Sequence, residues 1–295
     1  MPIQLRGILA LLVVTIVWGT TFPAMKDLSS QFSAVWIVFM RFALGGVLLA
    51  PFLIRAKRVD LIAGAMLGAT LFLCCMLQFE GLALTTSNRN AFIVGLNVLV
   101  VPLLGIAAGR LPERRIVAAI MLAMAGLFAL CWDGAAWGTG DTLALWSAFF
   151  FGVYVKMMET LTRKAANLMT LSAVQVITVA ACAGLWLLLW ETPRHPVDWH
   201  LLQANLSMHL PNVLYLGVVA TAAIIALQTW GQRQTSANEA AVIYAFEPAC
   251  AAIAAYFWLG ETMGWRGGVG ALLLIAGMIV SQWNPARKQA VFGTA

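Results

Sequence analysis

Ten apolar runs of membrane-crossing length dictate the architectures open to this chain. A hydrocarbon core about 30 Å thick takes about 20 residues of helix. With no water in that core, each backbone N–H and C=O must be paired inside its own segment, which makes each run a helix. The runs fall at 8–25, 33–54, 61–83, 90–108, 116–132, 142–161, 168–190, 211–230, 238–259 and 267–283. Composition agrees, since 62% of the residues are hydrophobic and only 10% charged, against about 25% charged in soluble domains. The expected fold is therefore an all-α polytopic membrane protein of ten transmembrane helices.

The formal charge of +6 does not point to nucleic acid, because the basic residues sit in short clusters between the apolar runs, where they report orientation. With the N-terminus cytoplasmic, that side receives Arg6, Arg55, Lys57, Arg58, Arg110, Arg114, Arg115, Arg163, Lys164, Arg233, Arg287 and Lys288, and the other only Lys26, Arg89, Arg194 and Arg266. Both termini are thus predicted to be cytoplasmic. Trp18-Gly19-Thr20-Thr21-Phe22 stands where a signal-peptide cleavage site would need small residues, so the first run is read as an uncleaved span. The five cysteines lie in or beside apolar runs, without a CxxC pair, and read as small hydrophobes. His195, His200 and His209 share one connection at irregular spacing and predict a solvated loop, not a metal site.

The chain also repeats itself. Leu77-Gln78-x-x-Gly81-x-x-x-Thr85-x-x-Asn88-x-x-Ala91-x-Ile93 recurs as Leu227-Gln228-x-x-Gly231-x-x-x-Thr235-x-x-Asn238-x-x-Ala241-x-Ile243, at an offset of 150. Leu122, Ala125, Gly126 and Trp132 correspond to Leu273, Ala276, Gly277 and Trp283 at 151. The division is into residues 1–138, residues 139–284 and a cytoplasmic tail, 285–295. Five spans per half force the second half to insert upside down, giving two inverted five-helix repeats. That arrangement is expected of an alternating-access transporter whose site lies near the midplane, where the repeats meet.

These residues resemble a known family. Trp18-Gly19 in the first span, Glu247-Pro248 in the ninth, Leu259-Gly260-Glu261 after it and the closing Ala276-Gly277, set in a duplicated ten-span frame, are similar to EamA-type members of the drug/metabolite transporter superfamily, with the aromatic amino acid exporters as the suggested branch. The resemblance implies a bacterial inner-membrane exporter of small metabolites, often amino acids. The first half departs from the second: Pro102 lies one helical turn beyond the mate of Pro248, and Asn97 stands where Glu247 does.

Candidate site residues follow from polar groups in apolar runs. A charge at the bilayer centre costs about 2.5–3.5 kcal/mol, so Glu247 must face a polar cavity, carry a proton or be paired. It either binds a substrate ammonium, couples to protons, or serves as a structural element whose carboxylate hydrogen-bonds an unwound backbone or a neighbouring helix. Tyr244 and Glu247 are three residues apart and share a helix face with Ala251. Gln78 and its mate Gln228 are expected near opposite membrane faces, as ligand groups or as helix-to-helix bonds. In the sixth span Lys156 either snorkels and pairs with Glu159 or meets a substrate carboxylate, while Tyr154 and Trp18 are candidates for an aromatic wall. Arg41 either pairs with an intramembrane carboxylate, the preferred reading, or contacts a ligand, and Glu80 and Arg89 form a gate or a surface pair. Gly64-x-x-x-Gly68, Gly105-x-x-x-Gly109 and Gly264-x-x-x-Gly268 are expected as packing surfaces, and Asn88 and Asn238 as N-caps.

No GxxxxGK[ST] loop, HExxH or nucleophile–base pair occurs, so neither ATP hydrolysis nor enzymatic activity is expected. The predicted partners are a small-molecule substrate, most readily an amino acid, protons as a candidate coupling ion, and membrane lipid. No cofactor is implied. Cationic drugs or other hydrophobic metabolites form the second substrate class, and a non-transporting scaffold is the reading from outside transport.

Overall fold

The computed structural model describes residues 3–54, 56–85, 87–109, 111–131, 136–259 and 264–282. No strand occurs among them. The helices are α1 (Ile3–Ser29), α2 (Ala34–Leu49), α3 (Arg58–Leu84), α4 (Ser87–Gly95), α5 (Asn97–Ala107), α6 (Arg114–Cys131) and α7 (Thr139–Lys164). They continue with α8 (Leu168–Trp186), α9 (Trp199–Met208), α10 (Leu210–Leu214), α11 (Ile224–Arg233), α12 (Ala237–Tyr244), α13 (Glu247–Leu259) and α14 (Trp265–Gln282). A 3₁₀ turn, Ala50–Leu53, extends α2; π-helical turns extend α8 (Leu187–Glu191) and join α10 to α11 (Tyr215–Ala223).

Among the described residues six stretches are long and apolar enough to cross a membrane: Ile3–Ser29, Ala34–Leu53, Arg58–Leu84, Arg89–Ala107, Leu168–Glu191 and Leu210–Arg233. The other four expected runs fall short for identifiable reasons. That at 142–161 lies in α7, whose apolar character is diluted by Lys156 and Glu159; that at 238–259 is split between α12 and α13; α6 and α14 stop where the described residues stop. Trp132, Gly260, Glu261, Trp283, the tail, and the side chains of Lys26 and Asn88 lie outside the described residues, as do Arg55 and Arg110. The outer surface carries large apolar side chains such as Val47, Leu103, Leu188, Phe257 and Leu272, the face a bilayer requires.

Local chemistry sets the helix starts. Ser33 caps α2 through the Trp36 N–H, and Asn167 caps α8 through the N–H groups of Met169 and Thr170. Ser236 caps α12 in a box with Glu239, so Asn238, the expected cap, lies inside the helix instead. The 191–210 connection contains α9, begun by Asp198 accepting from the N–H groups of His200 and Leu201. His209 bonds Asp27 at 2.9 Å.

Packing repeats when the halves are exchanged. α3 packs on α7 and α8, and α11 with its π turn packs on α1 and α2; α5 crosses α7 as α13 crosses α1; α2 lies on α8, and α6 on α14. Small residues set these crossings. A Cβ on Gly81 would stand 2.9 Å from the Gly140 carbonyl, and one on its repeat mate Gly231 would stand 3.1 Å from the Gly7 carbonyl. Gly19 of α1 packs against Cys250, and Gly152 of α7 against Val100, which is the repeat mate of Cys250. Gly64 and Gly68 abut α8, whereas a Cβ on Gly109, Gly264 or Gly268 would meet no atom within 4 Å among the described residues, so no packing surface is seen there.

Candidate functional site

Both repeat-related helices break at the same position. α4 ends at Gly95 and α5 begins at Asn97; α12 ends at Tyr244 and α13 begins at Glu247. The tightened turns correspond bond for bond. Leu96 N–H donates to Ile93 O at 3.1 Å and Leu99 N–H to Leu96 O at 2.9 Å, while Phe246 N–H donates to Ile243 O and Ala249 N–H to Phe246 O, both at 3.1 Å. In the second half Pro248 lacks the N–H that an unbroken helix would offer to Tyr244 O. In the first, no proline stands at the break, and the Asn97 amide donates to Val94 O at 3.0 Å.

The first residue of each downstream half-helix faces a shared cavity. About 70 Å³ of its interior is open to the centre of a water molecule. Among the residues expected to form a site, Trp18, Gln78, Asn97, Tyr154, Tyr244 and Glu247 line it, brought together from α1, α3, α5, α7, α12 and α13. Lys156 is not brought there. It faces the other way and pairs with Glu159 at 2.6 Å, and Glu159 also pairs with Arg163. Gln78 and Gln228, expected near opposite faces, line this one cavity together.

The wall is held by a hydrogen-bonded chain. Tyr154, fully buried, places its hydroxyl 3.1 Å from Gln175 Oε1 and 3.2 Å from Gln228 Oε1. One phenolic proton serves one acceptor, so the other amide meets the phenol oxygen through its NH₂ once rotated. Gln175 donates to Thr229 Oγ1 at 3.2 Å. Tyr244 donates to Gln232, which donates to the Val155 carbonyl at 2.7 Å. Trp18 lies against Tyr244 with ring centroids 5.7 Å apart and planes tilted by 42°.

Two charged groups line the cavity. Arg41, read from sequence as half of an ion pair or as a ligand contact, has no carboxylate bonded to it among the described residues. Its Nε donates to Thr221 Oγ1 at 3.0 Å, Nη2 to the Ala220 carbonyl at 3.4 Å, and Nη1 lies 3.6 Å from Met25 Sδ. Thr221 and Ala220 belong to the π turn, where the wider ladder leaves carbonyls free to accept. Glu247 is partly accessible to the cavity. No described residue hydrogen-bonds or ion-pairs with its carboxylate, so the architectural role in which it would bond unwound backbone is not seen.

Two further charge clusters tie the halves together, through repeat-related positions 89 and 239. Arg89 pairs with Asp141 at 2.7 Å, both nearly buried, and donates to the Ala136 carbonyl; it does not pair with Glu80. Glu239 pairs with Arg115 at 3.2 Å, and Arg115 also donates to the Ser281 carbonyl. Burial pushes the Asp141 carboxyl up, but the Arg89 guanidinium and the Gly138 N–H outweigh it and hold the group below its ordinary value.

The EamA-like transporter family matches residues 5–132 and again residues 138–282. An uncharacterized transporter of Archaeoglobus fulgidus is 26% identical over 278 residues, covering 94% of this chain and 86% of the relative. The uncharacterized transporter YwfM of Bacillus subtilis is 26% identical over 296 residues, covering 95% of each. A solved crystal structure superposes with a TM-score of 0.74 at 16% identity, covering 97% of this chain and 98% of that one, and so shares its fold. With apolar helices of spanning length and a family match to nearly all of its length, the chain is a multi-pass membrane protein and belongs to the EamA-like transporter family.

Proposed function

We propose that the protein is a secondary active transporter that exports small metabolites, amino acids with aromatic or other neutral side chains foremost, by alternating access. The observation that carries this reading is the cavity between repeat-related helices, where Asn97 and Glu247 each begin a half-helix after a break in the same position. Broken helices at a repeat interface supply polar backbone and helix ends to a solute without exposing them to lipid. In this account ten helices cross the bacterial inner membrane as two inverted halves, residues 1–138 and 139–284, with both termini cytoplasmic. Rocking of one half against the other opens the cavity to each side in turn.

Glu247 is the proposed coupling group. Protonated, it crosses the hydrocarbon region uncharged; ionised, it holds an ammonium. Reconstitution into proteoliposomes with a panel of amino acids and organic cations, with and without a pH gradient, tests substrate class and coupling together. A proton gradient should drive amino acid accumulation by the wild-type protein, and Glu247→Gln should abolish the dependence on that gradient. Unchanged proton-coupled flux in Glu247→Gln removes Glu247 from this role. The pairing of Glu247 with the Trp18–Tyr244 aromatic wall favours organic cations as the second reading, through cation–π attraction.

A further inference from the structure

Repeat symmetry isolates the two charges of the cavity. Arg41 stands eight residues beyond the N-cap of α2, Ser33, and Gln175 eight beyond the N-cap of α8, Asn167; α2 and α8 pack on each other as equivalent elements of the two halves. Arg41 and Gln175 are therefore counterparts, as are Glu247 and Asn97. At each of these two positions one half keeps a neutral amide and the other carries a charge. The charges are of opposite sign and come from opposite halves, and both line the one cavity. The amides serve structure: Gln175 holds Tyr154 and Thr229, and Asn97 holds the Val94 carbonyl. The two charges make no direct bond to each other: Arg41 bonds to Thr221 and the Ala220 carbonyl, and the Glu247 carboxylate has no hydrogen-bond or ion-pair partner among the described residues, so each attracts the other only across the cavity.

From this arrangement we infer that Arg41 and Glu247 form a bipolar receptor for a zwitterion, with Arg41 taking the substrate carboxylate and Glu247 its ammonium. The inference rests on the amino acid reading above and assigns its specificity to these two side chains. Arg41 suits the task. Guanidinium has five N–H donors, and a thioether is a poor acceptor for Nη1, so hydrogens remain for a carboxylate after the bonds to Thr221 and Ala220 have fixed the plane of the group. Lys156, whose sequence readings were a pair with Glu159 or a substrate carboxylate receptor, makes the pair with Glu159 and does not line the cavity. An arginine and a glutamate held apart are stabilised by a ligand that places a charge against each, and a solute with one charge leaves the other side unanswered. The Trp18–Tyr244 wall takes the substrate side chain.

The test uses purified full-length protein and two sets of probes that differ only in charge: L-phenylalanine, 2-phenylethylamine and 3-phenylpropionate, and L-leucine, isoamylamine and 4-methylpentanoate. Binding of each is measured to wild type, Arg41→Gln, Arg41→Lys and Glu247→Gln, with melting temperature and monodispersity as folding controls. Wild type should bind at least one of the two amino acids about tenfold or more tighter than either of its singly charged analogues, the scale of one charge-assisted hydrogen bond. Arg41→Gln should weaken the amino acid and the carboxylate by about tenfold while sparing the amine; Glu247→Gln should weaken the amino acid and the amine while sparing the carboxylate. Arg41→Lys should recover part of the amino acid affinity, and if Arg41→Gln fails to fold, Arg41→Lys and Glu247→Gln carry the comparison. Equal losses for all three charge types in either variant, or undiminished amino acid binding in Arg41→Gln, overturn the receptor while leaving amino acid transport standing. A wild type that binds the amines but neither amino acid overturns both.

Discussion

At the scale of single residues, buried polar groups decide what the cavity can hold. Removing the Tyr154 hydroxyl in Tyr154→Phe leaves the Gln175 and Gln228 amides without a shared partner, which costs about 1–3 kcal/mol when both are buried. The expected result is a lower melting temperature together with weaker solute binding, read by thermal unfolding and by equilibrium binding. Asp141 gives a pH dependence. Its folded value is depressed by Arg89 and Gly138 N–H, so its stabilisation is complete above the ordinary carboxylate value of about 3.9 and is lost as pH falls through the lower folded value. Wild-type protein in detergent should lose melting temperature between pH 5 and pH 3 more steeply than Asp141→Asn, and parallel curves would remove this pair from the account. Glu247, Tyr244, Trp18 and Asn97 were legible in the sequence because a polar or aromatic group beside a proline-marked break, or at its repeat mate, is conspicuous in an apolar run. Arg41 was visible as an ion-pair member or a ligand contact, and of the two the ion pair does not form among the described residues. Its counterpart Gln175 shares no extended identity with it, and only the two N-caps, seen in the structure, set the register. For Lys156 the i,i+3 spacing made the pair with Glu159 legible, and that pair forms; the alternative of a substrate carboxylate receptor is not supported, since Lys156 does not line the cavity.

At the scale of elements, small residues and helix breaks fix how the rods meet. Gly81→Val would drive side-chain atoms into the Gly140 carbonyl and the Ala144 N–H, backbone groups that cannot rotate away, and should cost about 1–3 kcal/mol, measured as a fall in melting temperature. Gly268→Ala meets nothing within 4 Å and should be neutral or stabilise by up to about 1 kcal/mol, since alanine is the better helix former. If both substitutions destabilise equally, close approach is not what distinguishes the two sites. The GxxxG spacing was legible in sequence, but which pairs meet a neighbour was not, because spacing carries no information on whether the facing surface is protein or lipid. Of the two breaks, the one before Pro248 was legible from the missing N–H. The one at Leu96 lacks a proline, and its only sequence sign is its registration with Phe246 at an offset of 150.

At the scale of the whole molecule, the duplication organises everything else. Matching glycine crossings, matching broken helices and matching element contacts arise because two related halves solve the same packing problem, and the cavity is where they are least alike in charge. The repeat was the most legible long-range feature of the sequence, since it predicted which helices correspond before any contact was known. The helix α9 and the π turns were not legible, because both depend on tertiary packing rather than on apolar periodicity. The central claim is that solute binds in the cavity between the halves. Counterflow of a labelled amino acid in proteoliposomes tests it most directly, with no nucleotide present, comparing wild type with Val94→Trp, which fills the cavity from the repeat mate of Tyr244, and with Leu103→Trp on the exposed outer face. The account predicts saturable exchange for wild type and Leu103→Trp and at least tenfold slower exchange for folded Val94→Trp, a change of about 1.4 kcal/mol or more. Exchange in Val94→Trp as fast as in wild type would contradict it.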